Sequence, residues 1–131
     1  MFLDLDVVGL FPHIPKAVTM EAMDRLLTEA NVGHDELTEF FALLNCCWCP
    51  NYCQFKGEIF EFPDEVGIRI GSLWGSLLAE VFMHTFEKNL FTSNHPLLPH
   101  VVYRHRYVDD GQCLWSGTSD ELSTPLDQFY P

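Results

Sequence analysis

One stretch, Tyr107-Val108-Asp109-Asp110, constrains this chain more than any other. The apolar run Val101-Val102-Tyr103 leads into it through Arg104, His105 and Arg106, and Cys113-Leu114-Trp115 leads out. Val and Tyr favour strands while Asp and Gly favour turns, so the pattern predicts two strands meeting at a tight tip over Asp109-Asp110-Gly111. Such a tip is common on local hydrogen-bonding grounds alone. Two adjacent carboxylates nevertheless repel each other and gain nothing from packing. A hard divalent cation is the natural species to sit between them.

A third carboxylate strengthens that expectation. Phe2-Leu3-Asp4-Leu5-Asp6-Val7-Val8 reads as a strand with Asp6 near its C-terminal end. If this strand pairs beside the hairpin, Asp6, Asp109 and Asp110 converge. A cluster of this kind holds two Mg²⁺ ions about 4 Å apart, the arrangement of in-line phosphoryl or nucleotidyl transfer. One metal lowers the pKa of an attacking hydroxyl, and the other neutralises charge on the leaving pyrophosphate.

The segments between these points alternate in type. A turn over Gly9–Pro15 leads to a helix at about 16–30, where Val18, Ala22, Leu26 and Ala30 repeat every four residues and Gly33 closes. A second helix starts at the cap Asp35, carries the stripe Leu37, Phe40, Phe41, Leu44, Cys47 and Trp48, and stops at Pro50. Tyr52–Phe55 and Glu58–Phe62 alternate around Lys56-Gly57 as a hairpin. After a loop from Pro63 to Gly71, the rows Leu73, Leu77, Val81 and Trp74, Leu78, Phe82 predict a helix at about 73–91 with a wide buried face. A last helix, capped by Ser119, runs through Leu122, Leu126 and Phe129. The order of elements implies an α+β fold, an antiparallel sheet covered on one face by helices, within one domain spanning residues 1–131.

Three of these segments carry a resemblance. Leu5-Asp6-Val7-Val8-Gly9-Leu10-Phe11-Pro12-His13-Ile14-Pro15 resembles motif A of reverse transcriptases, in the form found in Penelope-like retroelements. The stretch from Gly67-Ile68-Arg69-Ile70-Gly71-Ser72 through Glu80 is similar to motif B, and Arg106-Tyr107-Val108-Asp109-Asp110 matches motif C. Gln54–Phe60 resembles the hairpin that precedes motif B in that group. The motifs stand in family order and at family spacing across nearly the whole chain.

The resemblance implies a polymerase palm of ferredoxin-like (RRM-like) architecture and RNA-directed DNA synthesis by a two-metal mechanism. It makes Asp6, Asp109 and Asp110 the catalytic metal ligands, with the Val7 carbonyl as an extra ligand. The cofactor would be two Mg²⁺ ions, or Mn²⁺ in their place. Gly9, Leu10 and Phe11, with Ile70, Gly71 and Ser72, would contact the incoming nucleotide, Phe11 acting as the gate against a ribose 2′-hydroxyl. The partners of the parent enzyme would be an RNA template, a DNA primer and a dNTP. Motif B departs from the family form, since Arg69, Leu73 and Ser76 stand where prolines are usual and Gly75 replaces a serine. The fingers and thumb of such an enzyme correspond to nothing in these 131 residues. The fragment alone is therefore expected to be inactive, the alternative being a non-catalytic retroelement remnant with at most a binding or scaffolding role. Another two-metal palm, a nuclease or cyclase, fits the Tyr-Val-Asp-Asp form less well.

Composition bounds these readings. Hydrophobic residues make up 47% of the chain and include 11 Phe, enough for a packed core. The net charge of −12, from 19 acidic and 7 basic residues, excludes a basic face of the kind that grips phosphates unaided, so only weak nucleic-acid binding is expected. The absence of a long apolar run argues against a membrane span, and Asp4 and Asp6 interrupt any leader. Five cysteines, an odd number, suggest free thiols in a reducing compartment, nucleus or cytoplasm rather than secreted. Cys46, Cys47, Cys49 and Cys53 lack zinc-ribbon spacing and read as buried thiols near a helix end. His100 and His105 read as surface imidazoles, and Asp4 as a solvated residue on the face of Asp6.

Overall fold

In chain order the elements are β1 (Phe2–Asp6), α1 (Leu10–His13), α2 (Lys16–Glu29), α3 (His34–Trp48), β2 (Tyr52–Phe55), β3 (Glu58–Glu61), α4 (Gly75–Thr92), β4 (Val101–Tyr107), β5 (Asp110–Trp115) and α5 (Ser119–Leu122). The structure is a computed structural model that describes residues 1–48, 52–61, 66–69 and 71–122. It is α+β, with a three-stranded antiparallel sheet of order β1-β5-β4 and a separate β2-β3 hairpin. The chain divides into two units, one of Met1–Val8 and Glu87–Pro131, the other of Gly9–Phe86.

The first unit holds the three-stranded sheet. β1 lies antiparallel to β5 with Phe2 opposite Leu114 and Asp6 opposite Asp110. β5 pairs in turn with β4, placing Tyr103 opposite Leu114 and Tyr107 opposite Asp110. Alternation along the strands separates two faces. Leu3, Cys113 and Trp115 share the inner face, where Trp115 packs with Leu97 and Leu122 against Leu3 and Val101. The outer face carries Phe2, Asp4 and Asp6 on β1, Asp110 and Gln112 on β5, and Tyr103, His105 and Tyr107 on β4, all exposed. α5 begins where the Thr118 N–H donates to Glu121 Oε2 at 2.7 Å. Thr118 thus takes the cap position expected of Ser119, and Glu121 reaches back as in a capping box. Leu126 and Phe129 lie outside the described residues.

In the second unit the apolar faces fall beside the predicted rows. On α2 the buried residues are Thr19, Ala22 and Met23, while Val18 and Ala30 are exposed. Beyond the C-cap Ala30, Asn31 takes a left-handed φ of 59° while Asn31 and Val32 donate back to Thr28 and Leu27. Asn is the usual alternative to Gly at that position. Gly33, expected to close this helix, instead opens α3, where its N–H donates to Glu36 and its carbonyl accepts from Leu37. Along α3, Leu44 and Trp48 are buried. Pro50, the predicted stop, lies outside the described residues. α4 starts at Gly75, two residues after the predicted start, so Leu73 falls in a turn and is 98% exposed. Its buried residues are Gly75, Leu78, Ala79, Val81 and Met83, and Leu77 faces solvent. The β2-β3 hairpin follows the predicted register around Lys56-Gly57, and every residue of it is exposed. Among the described residues, no helix is long and apolar enough to cross a membrane.

Candidate functional site

The hairpin tip differs from the one local propensity predicts. The two-residue turn is Val108-Asp109, closed by the pair Tyr107 and Asp110. Asp110 begins β5 and Gly111 lies inside it, because β1 claims both as partners, Asp6 for Asp110 and Leu5 for Gly111. The first central residue of the turn, Val108, has φ 57°. A β-branched side chain in that region is an outlier that costs about 1–2 kcal/mol. Two backbone contacts brace the turn. The Val7 N–H donates to the Asp109 carbonyl at 3.1 Å, and Arg106 Nη1 donates to the Val108 carbonyl at 2.8 Å.

The hydrogen-bond phase of β1 and β5 sets how closely the acids approach. Trp115 N–H donates to Met1 O and Val7 N–H to Asp109 O, so pairs with an odd β1 residue are the hydrogen-bonded ones. Asp6 and Asp110 therefore form a non-hydrogen-bonded pair, for which Cα atoms stand about 4.5 Å apart with side chains on one face. Both carboxylates are exposed, and Asp109 beside them is half-buried. The pairing thus brings Asp6 against Asp110. Among the described residues no three His, Cys, Asp or Glu side chains stand together as a metal would need. Asp109 sits in the turn, where the strand pleat no longer dictates side-chain direction. Two opposed carboxylates offering only oxygen donors fit a hard divalent cation.

The nearby cations are engaged elsewhere. Arg104 and Arg106 alternate with Tyr103, His105 and Tyr107, so they project from the inner face. Both reach Glu87 of α4, Arg106 Nε at 2.8 Å and Arg104 Nη1 at 3.3 Å, and Arg104 also lies over the Phe91 ring at 3.6 Å. This group was not singled out by the sequence. The one signal for it was the i, i+2 spacing of the two arginines.

The residues assigned to nucleotide binding belong to the other unit. Gly9 caps α1 with φ 64°, and His13 Nδ1 closes that turn on the Gly9 carbonyl at 2.8 Å, so the predicted plain turn is a one-turn helix. Leu10 is buried in the core of its unit, which leaves only its backbone for a ligand, and Phe11 is half-buried. The segments around Phe11–Pro15 and Val66–Ile68 are joined by backbone. Gly67 N–H donates to Ile14 O at 2.9 Å, Ile68 N–H to Phe11 O at 2.8 Å, and Pro15 bridges to Val66. Ile70 lies outside the described residues. Gly71 is exposed with φ 91°, and Ser72 Oγ accepts from the Trp74 N–H at 3.3 Å. A cavity of ≈ 10 Å³, room for about one water, is lined by Trp48, Ser72 and Leu78 among others, and the buried Trp48 Nε1 has no hydrogen-bond partner among the described residues.

Other residues depart from expectation. Cys46 and Cys47 on α3 and Cys53 on the exposed strand β2 are exposed rather than buried, so Cys47 drops out of the predicted stripe, and Cys49 lies outside the described residues. Cys113 is buried, and burial pushes its thiol above the ordinary value, with the N-terminal ammonium opposing. His100 is no plain surface imidazole, for its ring packs on Trp115 at 5.1 Å between centroids. His105 is exposed, and Asp4 lies exposed opposite Gln112. No family model matches the chain, and neither a curated protein nor a solved structure does.

Proposed function

We propose that this chain is the palm portion of an RNA-directed DNA polymerase of the reverse-transcriptase type. In this reading Asp6, Asp109 and Asp110, with the Val7 carbonyl, hold two Mg²⁺ ions, which Mn²⁺ can replace. The observation that carries it is the opposition of Asp6 and Asp110 across β1 and β5, acids more than 100 residues apart in the chain. The order and spacing of the three motifs around that pair add to it. Bound metal would supply an activated primer 3′-hydroxyl and charge neutralisation at the pyrophosphate. The chain's own carboxylates would fix where those ions sit. Gly9, Leu10, Phe11, Ile70, Gly71 and Ser72 would line the path of the incoming dNTP, with Phe11 excluding a 2′-hydroxyl. RNA template and DNA primer are the partners of the parent enzyme. With 7 basic residues against 19 acidic ones, these 131 residues hold nucleic acid weakly and incorporate no dNTP unaided.

A second reading, a non-catalytic remnant, draws support from the want of a three-carboxylate group among the described residues and from the altered motif B. Titration of the purified chain with Mn²⁺, followed by the electron paramagnetic resonance of the free ion, separates the two. The polymerase reading expects saturable binding that Asp6→Asn and Asp109→Asn each abolish. No binding, or binding unchanged in both variants, favours the remnant.

A further inference from the structure

The tip that carries Asp109 and Asp110 is held from behind. Arg106 offers three nitrogen donors in one plane. Nε and Nη2 face the Glu87 carboxylate, at 2.8 Å from Oε1 and 3.5 Å from Oε2, while Nη1 donates to the Val108 carbonyl at 2.8 Å. The guanidinium is therefore shared between a helix carboxylate and the one residue of the turn with positive φ. Its side chain is only 12% exposed and that of Glu87 21%, so the pair is shielded well beyond an ordinary surface ion pair. Arg104, seated on the Phe91 ring, holds Glu87 from the other side.

We propose that Glu87 and Arg106 form a positioning clamp that keeps the strained Val108 turn, and with it Asp109 and Asp110, set against Asp6. Its functional half rests on the metal reading of those carboxylates, while its structural half does not. Neither residue faces the outer side of the sheet, and neither would touch substrate. Arg106 acts through a backbone carbonyl, Glu87 acts through Arg106, and both are positioning residues. A lysine in place of Arg106 would keep the charge but lose the planar fork that serves the carboxylate and the carbonyl from separate nitrogens.

The Val7 amide supplies a readout free of metal, because it donates to the Asp109 carbonyl in the turn. Amide hydrogen exchange in metal-free buffer is expected to quicken about tenfold at Val7 in Arg106→Gln, with α2 amides unchanged, as the loss of one charge-assisted bond implies. Arg106→Lys and Glu87→Gln should give smaller effects confined to the same hairpin. Mn²⁺ affinity should fall with the same ranking. Glycine at 108 accepts positive φ without steric cost. Val108→Gly in the Arg106→Gln background should therefore restore Val7 protection and Mn²⁺ affinity, a rescue that a general packing role for Arg106 would not produce. Native protection at Val7 in Arg106→Gln would overturn the clamp, as would failure of the glycine rescue. If Arg106→Gln unfolds the chain, the two milder variants decide, and equal quickening of α2 and Val7 in both would overturn it. If the native chain binds no Mn²⁺, the metal reading fails while the exchange arm still settles the clamp.

Discussion

Gly67 and Gly71 share nearly the same positive φ, 94° and 91°, in very different surroundings. A Cβ built on Gly67 would stand 2.8 Å from the Pro12 carbonyl oxygen, whereas one built on Gly71 meets nothing within 4 Å among the described residues. The two alanine variants thus separate backbone strain from close approach. Strain alone should cost each about 1–3 kcal/mol. Gly67→Ala must also push back the Pro12 carbonyl, a fixed backbone atom flanked by the acceptors of the Gly67 and Ile68 amides. Losing those two bonds adds about 1 kcal/mol apiece. We expect Gly67→Ala to cost about 3–5 kcal/mol, a large share of the roughly 5–15 kcal/mol that holds a domain folded, and Gly71→Ala about 1–3 kcal/mol. Urea denaturation gives both values from the midpoint shift at constant slope. Near-equal losses in the two variants, to within about 0.5 kcal/mol, would refute the reasoning and remove the backbone seam between Phe11–Pro15 and Val66–Ile68 as a point of stability.

Three further outcomes follow from the sheet unit. Asp110→Asn should raise metal-free stability by about 0.5–1 kcal/mol, because it relieves a like-charge pair directly opposed across two strands, and should abolish the increment of about 1.4 kcal/mol that Mg²⁺ at tenfold its Kd gives a bound native chain; a thermal melt that falls without metal, or still rises with it, contradicts the pairing. Ellman's reagent at mild alkalinity should label Cys46, Cys47 and Cys53 before Cys113, whose thiol is buried and held above its ordinary pKa so that thiolate is scarce; peptide mapping that finds Cys113 labelled as fast as the others counts against that burial. The Thr118 amide bond holds the Glu121 carboxyl below its ordinary value, so its contribution is present above the unfolded pKa and is lost as pH falls through the lowered folded one. The exchange protection factor of Thr118 should drop over that acidic window in the native chain and stay flat in Glu121→Gln, and a flat native profile would sink the assignment.

Periodicity and punctuation carried the types of the elements, and burial decided where their faces lie. Pro15 before α2, the Lys56-Gly57 turn and the alternation of Glu58–Glu61 are local signals, and the elements follow them closely. The apolar rows were less reliable. Leu73 and Leu77 continue the spacing of Val81, yet α4 begins only at Gly75 and its inner face is set by Leu78, Ala79 and Met83. Nothing in the spacing of Leu73 distinguishes an apolar residue before a helix from one inside it. The acid pair was legible because Asp6 and Asp110 each stand at a strand end, a position that sequence can locate. The brace behind it was not, because Glu87 meets Arg106 through tertiary packing between a helix and a strand, and one helical glutamate looks like any other.

The position of the hairpin tip shows which force governs the site. Turn propensity alone favours Asp-Gly at the bend and keeps Val out of a left-handed φ. The chain adopts the opposite, with Val108 at φ 57° and Gly111 inside β5. Sliding β5 by one residue against β1 would exchange its faces, turning Trp115 and Cys113 outward and Gln112 and Leu114 inward. Burying a side chain as large as Trp115 is worth at least about 2–3 kcal/mol, and exposing Cys113 as well would add to the loss. The left-handed valine costs about 1–2 kcal/mol. Core burial therefore outweighs turn preference, and the strain at Val108 is a consequence of the register that sets Asp6 against Asp110. A glycine at 108 would ease the turn without moving the acids, whereas a polar residue at 115 would remove the reason for the register and release the pair.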